Sequence, residues 1–211
     1  MRVFVSRMPA SEFFETLGMF AVKNFLDRNF CAELCNEIEK APTRAGTFVR
    51  PDTKEEVIDE EVKKRKEVTK LSDDYKDVVN KKLLELMPDI SSHYKIELSD
   101  IQPPKYSIYE TGDFYKTHTD SNVQEDAADF LKERKVSTII FLNEESSVEK
   151  EGSYCGGNLT FQGLIDNEVF GGFGLPLISE PGMLITFLPD LLHEVTPVTA
   201  GKRFAITTWY I

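Results

Sequence analysis

The chain has 211 residues, 41% of them hydrophobic with 15 Phe, and a formal net charge of −11. That apolar content suits one globular unit with a full core, and so acidic a chain is a poor partner for nucleic acid, whose phosphates need a basic face. Arg2, Arg7, Glu12 and Glu15 interrupt the apolar residues near the N-terminus, so no signal peptide or membrane anchor is read there and a cytoplasmic protein with no membrane partner is expected.

Residues 1–100 read as a helical region packing on a core formed by residues 101–211. In "DRNFCAELCNEIEKA", Phe30, Leu34 and Ile38 recur every four residues behind a plausible N-cap, Asn29, which predicts an amphipathic helix. Cys31 and Cys35 share a face of it and, with Cys155, make an odd number, so reduced structural thiols are expected rather than a disulfide or a metal site. Residues 52 to 70 are dense in both charges and predict a solvated helix or loop, with a flap over an active site as the alternative. A second helix follows: Ser72 caps it, Tyr75, Val78, Val79, Leu83 and Leu86 line one face, and Pro88 ends it.

After residue 100 the pattern becomes β. "KYSIYETGDFYKTHTD", "KVSTIIFLN", "GGNLTFQG", "GMLITFLP", "HEVTPVT" and "RFAITTWYI" are short β-branched and aromatic runs separated by turn residues. No helix-length segment separates the last four, so antiparallel strands in a barrel or jelly roll are predicted. The Gly-rich stretch 163–181 reads as an excursion at the rim. Within "GGNLTFQ", Gly156 and Gly157 leave room for a close neighbour, and a phosphate cradle is not the expected reading because the following residues are strand-like and no lysine follows.

Only three histidines are present. If residues 115–120 are extended, His118 and Asp120 project from one face and can reach one ion. With 36 acidic residues in the chain, one such pairing is within reach of chance. His193 begins a strand just after the run "MLITFLPDLL"; by itself it reads as a polar residue at a strand end, though a jelly roll can bring it to the same mouth. Two neutral imidazoles and a carboxylate would hold divalent iron and leave other positions open. His93 has no acidic residue two places on and is read as structural. In "RFAITTWYI", alternation puts Arg203, Ala205, Thr207 and Trp209 on one face and Phe204, Ile206, Thr208 and Tyr210 on the other. Arg203 reads either as a surface arginine at a strand end or as a buried guanidinium, which is costly unless an anion meets it; a small dicarboxylate gripped by two parallel hydrogen bonds could be that anion.

Taken in order, "YETGDFYKTHTD", "TIIFLN", "YCGGNLTF", His193 and "GKRFAITTWY" resemble the prolyl 4-hydroxylase-like branch of the iron(II)/2-oxoglutarate dioxygenases over Tyr106 to Ile211. The resemblance implies a double-stranded β-helix, or jelly roll, mainly β with flanking helices and preceded by the helical region. It implies His118, Asp120 and His193 as catalytic iron ligands, Arg203 on the distal carboxylate of 2-oxoglutarate, and Tyr109, Thr207 and Trp209 around that co-substrate. Fe(II), 2-oxoglutarate and O2 are the expected cofactors, with ascorbate as an accessory reductant. Phe141 departs from the family, whose members often carry a tyrosine there to help hold the same carboxylate. An aspartate at 120 favours hydroxylation over halogenation, because halogenating relatives have a small residue in that place. The expected substrate is a prolyl or other residue in a protein or peptide. A free amino acid or other small metabolite is the rival, and a non-catalytic cupin-like metal-binding protein is the remaining alternative.

Overall fold

The structure is a computed structural model that describes residues 14–50, 55–121, 129–164 and 174–211. Two antiparallel sheets face each other. The larger runs, in spatial order, Phe20–Val22 (β1), Leu184–Phe187 (β13), Val136–Phe141 (β9), Arg203–Tyr210 (β16), Lys105–Tyr109 (β7), Lys66–Val68 (β6) and Thr43–Ala45 (β2). The smaller runs Leu175–Pro176 (β12), Leu159–Phe161 (β11), His193–Val195 (β14), Phe114–His118 (β8) and Lys63–Lys64 (β5). Two short pairs, Tyr154–Gly156 (β10) with Val198–Gly201 (β15) and Phe48–Val49 (β3) with Glu56–Val57 (β4), complete the strands among the described residues. The predicted runs become strands, and the architecture is the expected jelly roll. Part of the 163–181 excursion, residues 165–173, lies outside the described residues.

Strand alternation divides the core. Phe204, Ile206 and Tyr210 of β16 join Ile140 and Leu184 in a cluster under the helices, while Ile139, Phe141, Phe161, Ile185 and Phe187 fill the space between the sheets. Helix α1, Arg28–Lys40, buries Cys31, Leu34 and Ile38 against the outer face, and each such large side chain contributes about 2 kcal/mol. Its cap is Asp27, not Asn29: the Asp27 carboxylate accepts from the Asn29 and Phe30 amides at 2.8 and 3.3 Å. Burial pushes the Cys31 and Cys35 thiols up to about 11 and 12, and all three cysteines are free.

Helix α2 runs Asp73–Tyr94, straight through Pro88. The expected stop at Pro88 is corrected by tertiary anchors beyond it: Ile90 is fully buried and the Tyr94 hydroxyl donates to the Thr186 carbonyl at 2.7 Å. Val79 and Leu83 are buried as predicted, but Val78 is 39% exposed and does not belong to the packed face. Ser72 stands at the N-cap without a side-chain bond. A short α3, Asp129–Lys132, precedes β9.

The charged segment differs most from its reading. It contributes β4, β5 and β6, so the first hundred residues are strands as well as helices. β5 pairs with β8 in the smaller sheet and β6 with β7 in the larger, with Arg65 alone between them. A single residue therefore carries the chain from one sheet to the other. No described helix is long and apolar enough to cross a membrane.

The N-terminal segment meets the barrel at Gly182, whose carbonyl accepts from the Leu26 amide at 3.1 Å. Gly182 has φ +79°, and a Cβ there would lie 2.0 Å from the Leu26 carbonyl oxygen. Gly182→Ala combines left-handed strain with overpacking and should lower stability by about 3 kcal/mol; urea unfolding followed by circular dichroism measures it.

Candidate active site

The antiparallel register of β8 and β14 places His193 opposite His118. Asp120 follows two residues beyond the end of β8, with its amide donating to the Pro189 carbonyl at 2.7 Å. His118 Nε2 lies 3.7 Å from Asp120 Oδ1 and His193 Nε2 lies 3.6 Å from Asp120 Oδ2. The three residues offer ligand atoms within 4.8 Å of one another, close enough to hold one metal ion. Each imidazole turns Nδ1 to the backbone carbonyl two residues earlier, Lys116 for His118 and Leu191 for His193, both at 2.8 Å. A carbonyl only accepts, so Nδ1 carries the hydrogen and Nε2 keeps its lone pair.

Ring contacts fix the same geometry. Tyr115 stacks on His118 with centroids 3.6 Å apart, and Phe187 meets His193 edge-on at 4.7 Å. Burial and the facing His193 lower the His118 pKa to about 3 although Asp120 pulls it up. Burial would raise Asp120, but His193, His118, Arg134 and a bond from Ser137 hold it at about 2. Ser137 Oγ donates to Oδ2 at 2.8 Å, and Arg134 Nη1 donates to the Asp120 carbonyl at 2.8 Å. A neutral His118 imidazole beside an ionised Asp120 carboxylate is the combination of protonation states that suits a divalent cation.

All seven residues singled out from the sequence, His118, Asp120, His193, Arg203, Tyr109, Thr207 and Trp209, line one cavity of about 550 Å³. Arg203 is 1% exposed, and its Nε and Nη2 have no hydrogen-bond partner among the described residues. Its guanidinium lies 5.1 and 5.4 Å from the Tyr109 and Phe141 rings. Gly157 makes room for it: a Cβ there would come within 3.2 Å of Arg203 Cδ and 2.8 Å of Val198 Cγ2. Leaving buried charged donors unmet is expensive, so the site fits an anion that is itself outside the chain. His93 lies elsewhere, packed against Phe20 and Tyr94.

The sequence reading missed several residues. Phe141 brings no hydroxyl, but Tyr154, buried on β10, sets one beside Arg203. Burial raises the Tyr154 pKa, and the Arg203 charge and a hydrogen bond to it oppose that rise. Arg65 Nη1 donates to the Tyr109 hydroxyl at 3.0 Å. Lys63, Arg65 and Glu67, each under 8% exposed, form one network, with Arg65 Nη2 and Lys63 Nζ at 2.7 and 3.3 Å from Glu67 Oε1. Their period of two in "KKRKEV" was the available signal for a strand with one buried face.

Burial alone would raise the Glu67 carboxyl, but Arg65 and Lys63 lower it from 4.5 to about 2. Its folded pKa is thus depressed, so its contribution is present above pH 4.5 and lost as the pH falls toward 2. Glu67→Gln should cost about 3 kcal/mol at pH 7 by stranding two buried cations, and the gap from the parent should close below pH 4.5. Urea unfolding at a series of pH values reads both effects.

Comparison with known proteins adds an independent line. Residues 104–211 match the family described as the 2OG-Fe(II) oxygenase superfamily. A PKHD-type hydroxylase of Teredinibacter turnerae is 32% identical over 109 residues, covering 52% of this chain and 42% of that protein. One from Pseudoalteromonas atlantica is 31% identical over 112 residues, covering 52% and 43%. The matched region spans less than half the length of these relatives. Among solved structures, a prolyl-4-hydroxylase of Pseudomonas putida has a TM-score of 0.68 at 20% identity, covering 95% of each chain. A prolyl hydroxylase from Trichoplax adhaerens, in complex with a hypoxia inducible factor oxygen degradation domain peptide fragment, has a TM-score of 0.71 at 19% identity, covering 95% of this chain and 86% of the other. These two likenesses bear on the fold and agree with the jelly roll. The family match covers half of the sequence and includes His118, Asp120, His193 and Arg203, and the chain belongs to the 2OG-Fe(II) oxygenase superfamily.

Proposed function

We propose that this protein is an iron(II)- and 2-oxoglutarate-dependent hydroxylase acting on an unactivated C–H bond. The observation that carries the reading is Arg203, a buried guanidinium with two unmet donors in the same cavity as the His118, Asp120, His193 cluster. A metal-binding protein of the cupin kind, without turnover, has no use for that second, anion-seeking group. When bound, iron(II) with 2-oxoglutarate and oxygen supplies the oxidising chemistry that turns C–H into C–OH, releasing succinate and carbon dioxide.

The chain's own residues have separable tasks in this proposal. His118, Asp120 and His193 are the metal ligands; Lys116 and Leu191 carbonyls orient the imidazoles, and Ser137 and Arg134 hold Asp120. Arg203 receives the distal carboxylate of 2-oxoglutarate, and the Tyr154 hydroxyl, itself bonded to Ser179 at 2.8 Å, helps to position the guanidinium. Tyr109, Thr207 and Trp209 form the walls around the co-substrate. Phe161 and Phe187, packed beside His193, keep water from the inner side of the ligand cluster.

A residue in a protein or peptide is the proposed substrate, a prolyl side chain foremost, because the Trichoplax neighbour was solved with a peptide fragment. The rival, a free amino acid or small metabolite, is favoured by the restricted cavity of about 550 Å³. Three free cysteines suit the cytoplasm, which is the proposed location, and ascorbate is the proposed accessory reductant.

Anaerobic addition of iron(II) and 2-oxoglutarate should produce a visible charge-transfer band, and His193→Ala or Asp120→Ala should abolish both the band and succinate formation. Retention of turnover in either variant would refute the ligand assignment. Arg203→Met should raise the KM for 2-oxoglutarate about tenfold or more, the loss expected for a charged hydrogen-bonded pair; an unchanged KM by succinate assay would remove Arg203 from its role.

A further inference from the structure

The cavity reverses the sign of the chain around it. In a protein of net charge −11, Lys63, Arg65, Lys105, Arg134 and Arg203 line it against two carboxylates, Glu56 and Asp120. Most of these cations are occupied. Lys63 and Arg65 share Glu67, and Arg134 is held by Gln102 and the Asp120 carbonyl while its guanidinium lies 3.4 Å over the Trp209 ring. Arg203 serves the co-substrate in the reading above.

Lys105 is left over. It opens β7 and pairs with Thr207 of β16, and its side chain makes no hydrogen bond or ion pair among the described residues. Its ammonium stands 5.9 Å from the centre of the Trp209 ring and meets Glu67, Arg65, Arg134 and Glu56 only through space. Burial lowers its pKa first of all, the mark of a cation partly stripped of water without a partner. Two cations, Lys105 and Arg134, thus attend one indole. Beside them stand Phe130 and Leu192, which line the same cavity and are 44% and 45% exposed. A positive floor under an apolar rim selects a ligand with an apolar body and a negative group.

We propose that Lys105, with Arg134 beside it, receives a carboxylate of the primary substrate, so that this enzyme hydroxylates acids. The proposal rests on the hydroxylase reading and names its substrate class. The carboxylate belongs either to an acidic side chain near the target residue of a peptide or to a free small acid, and the two sources are separable.

The chain has one tryptophan, and it lies at this site, so its fluorescence reports occupancy without turnover. The full chain, loaded with zinc(II) as a redox-inert ion and saturated with 2-oxoglutarate, is titrated with three acid and amide pairs. These are N-acetyl-L-proline and N-acetyl-L-prolinamide, hexanoate and hexanamide, and capped Glu-Pro-Glu and Gln-Pro-Gln peptides. In at least one pair the acid should bind about tenfold more tightly than its amide. Lys105→Met should erase that preference and Lys105→Arg should keep it, with both variants matching the parent in circular dichroism. A preference confined to the peptide pair assigns the carboxylate to an acidic side chain, and one confined to the small pairs assigns it to a free acid.

Equal binding of acid and amide in all three pairs overturns the proposal, as does a preference that survives Lys105→Met. Weakened 2-oxoglutarate binding in Lys105→Met, with the acid preference intact, also overturns it and makes Lys105 a co-substrate residue. Failure of the underlying hydroxylase reading has a different signature: the parent chain with iron(II) would yield no succinate from 2-oxoglutarate, whatever the fluorescence shows.

Discussion

The register between β8 and β14 is the constraint on which the site depends. His193 faces His118 across adjacent antiparallel strands, and side chains alternate, so a slip of one residue would turn an imidazole away from the cavity. Asp120 lies outside the ladder and is tied instead to Pro189, Ser137 and Arg134. The cluster is thus held by two kinds of restraint, a strand ladder for the imidazoles and a fan of donors for the carboxylate. Since both Nδ1 atoms are committed to carbonyls, the lone pairs left at Nε2 need no rearrangement to receive a cation.

Burying so many charges in a small cavity is unfavourable unless each has a counterpart. Glu67 answers Lys63 and Arg65, and Asp120 is answered by the Arg134 charge and the hydrogen bond from Ser137. Arg203 has aromatic rings on its flanks but, among the described residues, no acceptor for Nε or Nη2. A buried guanidinium in that state is unfavourable unless an anion meets it. The space around it is equally deliberate, since Gly157 excludes the methyl group that would press on its side chain.

Much of this could be read in the sequence because it follows from local periodicity. Alternation in "RFAITTWYI" sorted Arg203, Thr207 and Trp209 from Phe204, Ile206 and Tyr210, and the sheet sorts them in the same way. The aspartate two residues after His118 and the histidine opening the strand at 193 were candidates by pattern alone, and only the family resemblance joined them as one set. What escaped depends on partners distant in the chain. Lys63, Arg65 and Glu67 looked solvated because local composition cannot show that their charges meet one another under strands 40 residues later. Pro88 looked like a stop because proline is costly inside a helix, yet Ile90 and the Tyr94 bond to Thr186 hold the last turns in place. Tyr154 reaches Arg203 from a strand whose brevity, three residues, gave no periodic signal.

The crossing at Arg65 bears on what counts as the smallest workable unit. β5 extends the smaller sheet and β6 the larger, so residues 63–68 act as a clasp joining the two layers along one side. A chain shortened to the family-matched portion, residues 104–211, would retain His118, Asp120 and His193 and lose that clasp. It would bare the long sides of β7 and β8 to other molecules, inviting edge-to-edge association, and leave the Tyr109 hydroxyl without its donor. The N-terminal half therefore supplies part of the cavity wall, through Glu56, Lys63 and Arg65.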